Sequence, residues 1–132
     1  MAKAKILVVD DEEMTRKSLK DALASGGFET IIANDGAAGL ASALNEKPDL
    51  ILTDVKMPGL DGMGMLKEIR KSGDWGKSVP VMILTNFDTD EKIMQGIVED
   101  EPSFYFLKSK VTPTALVDKI KEKLEEHIHN GK

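Results

Sequence analysis

The residues best suited to chemistry in this 132-residue sequence stand at the ends of its apolar runs. Asp10 and Asp11 follow the run "ILVV", and Asp54 follows "LILT". Thr85 and Lys108 end the next two runs. Three carboxylates in one cleft do not all stay ionised without a cation. A set of carboxylates without His or Cys suits a hard ion, so the pattern indicates Mg²⁺, with Mn²⁺ as the alternative.

The same side chains, brought together, would suit phosphoryl transfer. Lys108 offers a positive charge and Thr85 a hydroxyl donor, and both would neutralise phosphoryl oxygens. An Asp carboxylate is an accepted phosphoryl nucleophile, and Asp54 is the candidate. Taken singly, each acid is explained as well by a helix cap or a loop position, and Thr85 by an ordinary strand end.

Five short apolar runs must bring these residues together. They are rich in Ile, Val, Leu and Phe, and several show no polar alternation, which is typical of strands buried on both faces. The predicted strands are residues 5–9, 29–33, 50–53, 79–84 and 104–107. Helical patterns lie between them. In the first, Met14, Leu19 and Leu23 form an apolar stripe that ends at a Gly-Gly pair.

The alternation of strands and helices predicts an α/β fold of the flavodoxin-like (βα)5 doubly wound type. Its five-stranded parallel sheet has the order 2-1-3-4-5, with helices on both faces. Later helices begin at capping residues, which are Asn34 or Asp35, Asp61, Asp88 and Thr112. In this order the topological switch point lies between strands one and three, and sites form beside it at the carboxyl ends of the strands. Asp10, Asp11 and Asp54 should therefore converge there.

Composition narrows the class of protein. The net charge of −5 argues against direct nucleic-acid binding. The absence of cysteine excludes disulfides and thiolate metal sites, and it fits a cytoplasmic location. No apolar run is long enough to predict membrane insertion. The length suggests a single domain over residues 1–132, with its core at about residues 5–124 and a C-terminal tail at 125–132.

Four motifs, "VVDDEE", "LTDVKMPGLDG", "ILTN" and "YFLKS", resemble the receiver domain of bacterial two-component response regulators. The resemblance covers about residues 5–124. It implies that Asp54 accepts a phosphoryl group from a histidine kinase or a histidine phosphotransfer protein. It also implies that Asp10 and Asp11 hold Mg²⁺, with Asp11 the direct ligand. The backbone carbonyl of Lys56 would complete the protein ligands.

The resemblance also implies a switch. Thr85 and Lys108 would bind the phosphoryl group, and Tyr105 matches an aromatic position that turns inward when Thr85 moves. The output face would comprise the helix at residues 88–101, the fifth strand and the fifth helix. The sequence has no DNA-binding or catalytic output segment after Leu124, so we expect signalling through contact with a protein partner, unless the chain is part of a longer regulator. Lys56 and Phe87 are expected to flank the path of the water that hydrolyses the phosphoryl group.

Three positions depart from the family pattern. Ser109 stands where a proline usually follows the lysine, so we predict a trans Lys108–Ser109 peptide. Asn86 replaces a small residue and would narrow access to the phosphoryl site. Pro102 would shift the start of the fifth strand. Elsewhere, Trp75 in the polar stretch "SGDWGKS" is predicted to anchor a loop, with contact to a partner as the alternative.

Two other functions compete with the switch. A haloacid-dehalogenase-like phosphohydrolase also uses an aspartyl nucleophile and Mg²⁺, but it requires Asp-x-Asp, whereas Asp54 begins "DVK". A phosphorylation-independent adaptor on the same fold would not need the full set of site residues. We therefore expect a phosphoacceptor protein rather than an enzyme, with self-phosphorylation and autodephosphorylation only.

Overall fold

The structure is a computed structural model that describes residues 3–55, 57–85, 103–107 and 112–131. For residues 85, 103–107 and 127–131 only the backbone is described. The predicted helix at 88–101, the Lys108–Ser109 peptide, and the positions Asn86, Phe87 and Pro102 lie outside these ranges.

Within the described ranges, five short strands pair in parallel to form one sheet. They are β1 (Lys5–Val9), β2 (Glu29–Ala33), β3 (Leu50–Thr53), β4 (Val81–Thr85) and β5 (Ser103–Leu107). Their order is β2-β1-β3-β4-β5, which confirms the predicted flavodoxin-like arrangement. β1, β2 and β3 have the predicted bounds. β4 begins two residues later than predicted, because Pro80 has no N–H for the ladder.

The helices that the structure describes are α1 (Glu13–Ser25), α2 (Gly36–Glu46), α3 (Gly62–Arg70), α4 (Asp74–Ser78) and α5 (Pro113–Gly131). Three of the predicted caps are confirmed. The side chains of Asp35, Asp61 and Thr112 each accept a hydrogen bond from a first-turn backbone N–H, at 2.8, 2.8 and 3.1 Å. Each cap satisfies a donor that the helix itself leaves unpaired.

Alternate residues of each central strand face opposite layers of helices. One core contains Leu7, Val9 and Ile51 together with residues of α2 and α3. The other contains Ile6 and Val8 together with residues of α1 and α5. Both faces of the central strands are therefore covered, which is why their sequences are apolar without alternation.

The amino ends of β1 and β3 are joined by two hydrogen bonds. The backbone N–H of Lys5 donates to Oδ2 of Asp49 at 2.7 Å, and the N–H of Asp49 donates to the Lys5 carbonyl at 2.8 Å. The Lys5 ammonium also lies 3.2 Å from Glu46 Oε1. This end of the sheet is the one opposite Asp10 and Asp54.

One prediction about the helices is wrong. Met14 is 84% exposed, whereas Leu19 and Leu23 are buried. Five residues separate Met14 from Leu19, and at 3.6 residues per turn this places the two side chains about 140° apart around α1. α5 continues to Gly131, and the division into a core at about residues 5–124 and a C-terminal tail at 125–132 stays a prediction.

The stretch around Trp75 is the short helix α4 rather than a loop. Its predicted anchoring role is confirmed, since the Trp75 indole Nε1 donates to the Pro48 carbonyl at 3.0 Å. Across the described residues, no helix combines the length and apolar character that crossing a membrane requires.

Candidate functional site

Strand pairing places two of the predicted carboxylates side by side. β1 and β3 are parallel neighbours, and Val9 is opposite Thr53. Asp10 and Asp54 each follow this pair by one residue. The Asp54 N–H donates to the Val9 carbonyl at 3.0 Å, and the Asp10 N–H donates to the Ala33 carbonyl at 3.2 Å. Both acids are therefore fixed at the carboxyl edge of the sheet, where the predicted site lies.

Three carboxylates meet at this edge. Asp10, Asp11 and Asp54 each offer one oxygen, and these oxygens lie within 4.8 Å of one another. Asp10 and Asp54 are only 2% and 7% exposed, whereas Asp11 is exposed. The predicted convergence is confirmed. Two anionic side chains held out of water require compensation from donors or from a cation.

Backbone donors orient the two buried carboxylates. The N–H of Glu12 donates to Asp10 Oδ1 at 2.9 Å, and the N–H of Val55 donates to Asp54 Oδ1 at 2.7 Å. The N-cap residue of α1 is Glu12, so neither Asp10 nor Asp11 occupies that position.

Arg16 belongs to this edge, although the sequence analysis did not select it. Its Nη1 donates to the Asp10 carbonyl oxygen at 2.7 Å, from the first turns of α1. The contact fixes a positive charge beside the acidic cluster. The only signal for Arg16 in the sequence was its position soon after the acids, at the start of the predicted first helix.

The donor set fits a hard divalent cation. All three ligand atoms are carboxylate oxygens, which Mg²⁺ prefers over nitrogen or sulfur ligands. Oxygens bound to one octahedral Mg²⁺ are about 3 Å apart when adjacent, so small side-chain rotations would bring the three oxygens into place. Among the described residues, no other group of three His, Cys, Asp or Glu side chains converges in this way.

The remaining predicted residues are placed only in part. Thr85 ends β4 and pairs with Leu107, the last residue of β5. Its side chain is not described, nor is that of Tyr105 within β5. Lys108 directly follows Leu107 but, like Lys56, lies outside the described residues. The roles of these four residues stay predictions.

Comparison with known proteins agrees with the fold and the motifs. Residues 6–121 match the family described as response regulator receiver domain. The chain is 34% identical over 93 residues to the response regulator MprA of Mycobacterium leprae, an alignment that covers 70% of this chain and 40% of that protein. The chain thus spans about two fifths of the length of such curated relatives.

Solved structures show the same likeness. A CheY-like receiver domain protein from Methanospirillum hungatei superposes with a TM-score of 0.87 at 31% identity, covering 98% of this chain and all of that one. The chemotaxis protein CheY4 of Vibrio cholerae gives 0.82 at 29% identity, covering 92% of this chain and 98% of that one. Sequence motifs, strand order and acidic edge agree, and the chain belongs to the response regulator receiver domains of two-component signalling.

Proposed function

We propose that this protein is a phosphorylation-controlled switch that accepts a phosphoryl group on Asp54. The donor would be a histidine kinase or a histidine phosphotransfer protein. One observation carries the proposal, namely the convergence of the Asp10, Asp11 and Asp54 carboxylates at the carboxyl edge of the sheet. Receiver-family membership makes a two-component phosphorelay the context of that site.

In the proposed reaction, a carboxylate oxygen of Asp54 attacks phosphorus while the bond from phosphorus to the donor's histidine nitrogen breaks. The product is an acyl phosphate on Asp54 and a free imidazole on the donor. The Val55 N–H donates a hydrogen bond to Asp54 Oδ1 at 2.7 Å and so orients the attacking carboxylate. Such orientation removes part of the entropic cost of reaching the transition state.

The proposed cofactor is Mg²⁺, held by Asp10, Asp11, Asp54 and the backbone carbonyl of Lys56, with Mn²⁺ as the substitute. When bound, the cation supplies positive charge that offsets the charge on the phosphoryl oxygens. Asp11 is exposed and would be the direct ligand of the cation. Asp10 is buried and would help Asp11 to hold the cation. Because the protein would itself be the substrate of phosphorylation and autodephosphorylation, it would be a phosphoacceptor rather than an enzyme.

The proposed roles of the strand-end residues complete the switch. Lys108 and Thr85 would bind the phosphoryl oxygens. Movement of Thr85 would free space for Tyr105 to turn inward. The phosphoryl group then acts only through contacts that differ between two states, a coupling of about 1–3 kcal/mol.

The proposed output face comprises residues 88–101, β5 and α5. Residues 88–101 carry six acidic residues and one lysine. We therefore expect a protein partner with a basic or mixed docking surface, which binds more tightly after phosphorylation and more weakly at high salt. A pull-down with and without phosphodonor, at two salt concentrations, tests this. Equal capture of Asp54→Asn and the phosphorylated parent would contradict it. The cytoplasmic location stays a prediction.

The decisive experiment uses acetyl phosphate, a small phosphodonor that needs no kinase. The protein is incubated with Mg²⁺ and acetyl phosphate, and its intact mass is measured. We expect one added phosphoryl group in the parent and none in Asp54→Asn. Absence of the adduct in a folded parent would favour a phosphorylation-independent adaptor instead.

A further inference from the structure

Gly62, the first residue of α3, lies against the main chain of Asp54. A β-carbon at position 62 would overlap the Asp54 carbonyl oxygen and would lie 3.1 Å from the Asp54 carbonyl carbon and from the Val55 α-carbon. Gly62 is not among the glycines with positive φ. The position therefore requires glycine for space rather than for backbone conformation.

The same carbonyl oxygen has a second contact. Thr53 Oγ1 donates to it at 2.9 Å, and Thr53 is only 1% exposed. Thr53 pairs with Val9 and Ile83, which belong to the core beneath α2 and α3. The Gly62 N–H also donates to the Val55 carbonyl at 2.8 Å. The start of α3 is thus joined to the backbone on both sides of the Asp54–Val55 peptide.

One peptide unit links these contacts to the carboxylate. Its carbonyl belongs to Asp54 and meets Thr53 and Gly62. Its N–H belongs to Val55 and donates to Asp54 Oδ1 at 2.7 Å. Because the peptide unit is planar, any tilt of the carbonyl also tilts the N–H that orients the carboxylate.

We infer that Thr53 and Gly62 are positioning residues for Asp54, which fix the Asp54–Val55 peptide and thereby aim the carboxylate at the metal and phosphoryl site. The inference rests on the proposed function insofar as Asp54 serves that site. Residues that orient a metal ligand typically change metal affinity when they are replaced, although they never touch the ion.

Gly62→Ala tests the steric contact, with Gly76→Ala as its matched control. A β-carbon at Gly76 would overlap the Ile69 carbonyl oxygen, a backbone clash of the same kind at the far end of α3. Both variants should lose stability. We expect only Gly62→Ala to weaken Mg²⁺ binding, by about tenfold in calorimetry.

Thr53→Val tests the hydrogen bond without adding volume, so it serves even if Gly62→Ala does not fold. Its control is Thr30→Val, because Thr30 Oγ1 is buried on β2 and has no hydrogen-bond partner in the described structure. We expect weaker Mg²⁺ binding and slower phosphorylation by acetyl phosphate in Thr53→Val. Thr30→Val should match the parent in both.

A second readout needs neither metal nor phosphate. In the metal-free protein, we expect both site variants to speed hydrogen exchange at the Val55 amide relative to that at the core amide of Leu7. Neither control should change this ratio. If the ratio shifts but the parent takes up no phosphoryl group, the positioning stands and the proposed function fails. If the ratio and the Mg²⁺ affinity change equally in site variants and controls, or in neither, the positioning role is refuted.

Discussion

The guanidinium of Arg16 donates from Nη1 to the carbonyl oxygen of Asp10, 2.7 Å away. This contact fixes a cation of α1 at the main chain of Asp10, one of the two buried acids of the site. A hydrogen bond from a charged donor contributes about 1.5–3 kcal/mol to the free energy of unfolding. The contribution is smaller where water reaches the bond. Arg16 is only partly buried, so the lower end applies.

Arg16→Met should therefore lower the free energy of unfolding of the metal-free protein by about 1.5 kcal/mol. The reason is that the Asp10 carbonyl loses its donor and the carboxylates lose a nearby positive charge. Urea denaturation in the presence of a chelator measures the effect. Lys17→Met, at the exposed neighbouring position of α1, is the control. Equal effects of the two substitutions would show that the contact does not stabilise the site.

Asp11→Ala should have opposite effects with and without Mg²⁺. Without metal, it should raise the free energy of unfolding, because Asp11 lies close to two other carboxylates of like charge. With metal, it should lose the stabilisation that Mg²⁺ gives the parent, which is about 2.7 kcal/mol at 100 times Kd. Urea denaturation with and without Mg²⁺ measures both.

Asp21→Ala is the control for this pair of measurements, because Asp21 is an exposed acid in the second half of α1. It should respond to Mg²⁺ like the parent. The ligand assignment would be wrong if Asp11→Ala also kept the full response.

Trp75→Phe should affect stability alone. The substitution retains an aromatic side chain but removes the indole N–H that donates to the Pro48 carbonyl. This loss should lower the free energy of unfolding by about 0.5–1.5 kcal/mol. Pro48 precedes β3, at the edge of the sheet opposite Asp54, so the rate of phosphorylation should stay within error of the parent. Circular dichroism during urea denaturation and intact mass against time provide the two readouts. A large change in rate would show that α4 is coupled to the site.

Lys56→Ala combined with Phe87→Ala should change the half-life of the phosphorylated protein. Both residues are expected to flank the path of the hydrolytic water, which must be aligned for attack on phosphorus. The decay of the phosphorylated mass after removal of the donor measures the half-life. An unchanged half-life would show that neither side chain controls the water.

The sequence predicted most of the fold because local signals and burial agree there. The runs at β1, β2 and β3 are apolar and short, and caps such as Asp35 and Asp61 mark helix starts. The prediction failed at Met14, because it considered the apolar character of the residue but not its angular position around the helix.

The sequence predicted the acidic side chains of the site, but it did not predict the contacts that hold them in place. Asp10, Asp11 and Asp54 have a chemical type that identifies them. Arg16 and Gly62 act through backbone carbonyls that only the folded chain brings near. Contacts of this kind leave no periodic pattern, so the sequence alone did not reveal them.

The pair of hydrogen bonds between Lys5 and Asp49 has a consequence for how such a site is lost. β3 is buried on both faces, so sliding it by one residue against β1 would leave its side chains apolar and covered. The hydrophobic pattern does not choose between these alignments, whereas the Lys5–Asp49 hydrogen bonds form in only the native one. A sequence that keeps all three acids but loses Asp49 would lose one contact that favours the native alignment, and one that gains a residue within β3 would place Asp54 out of step with Asp10.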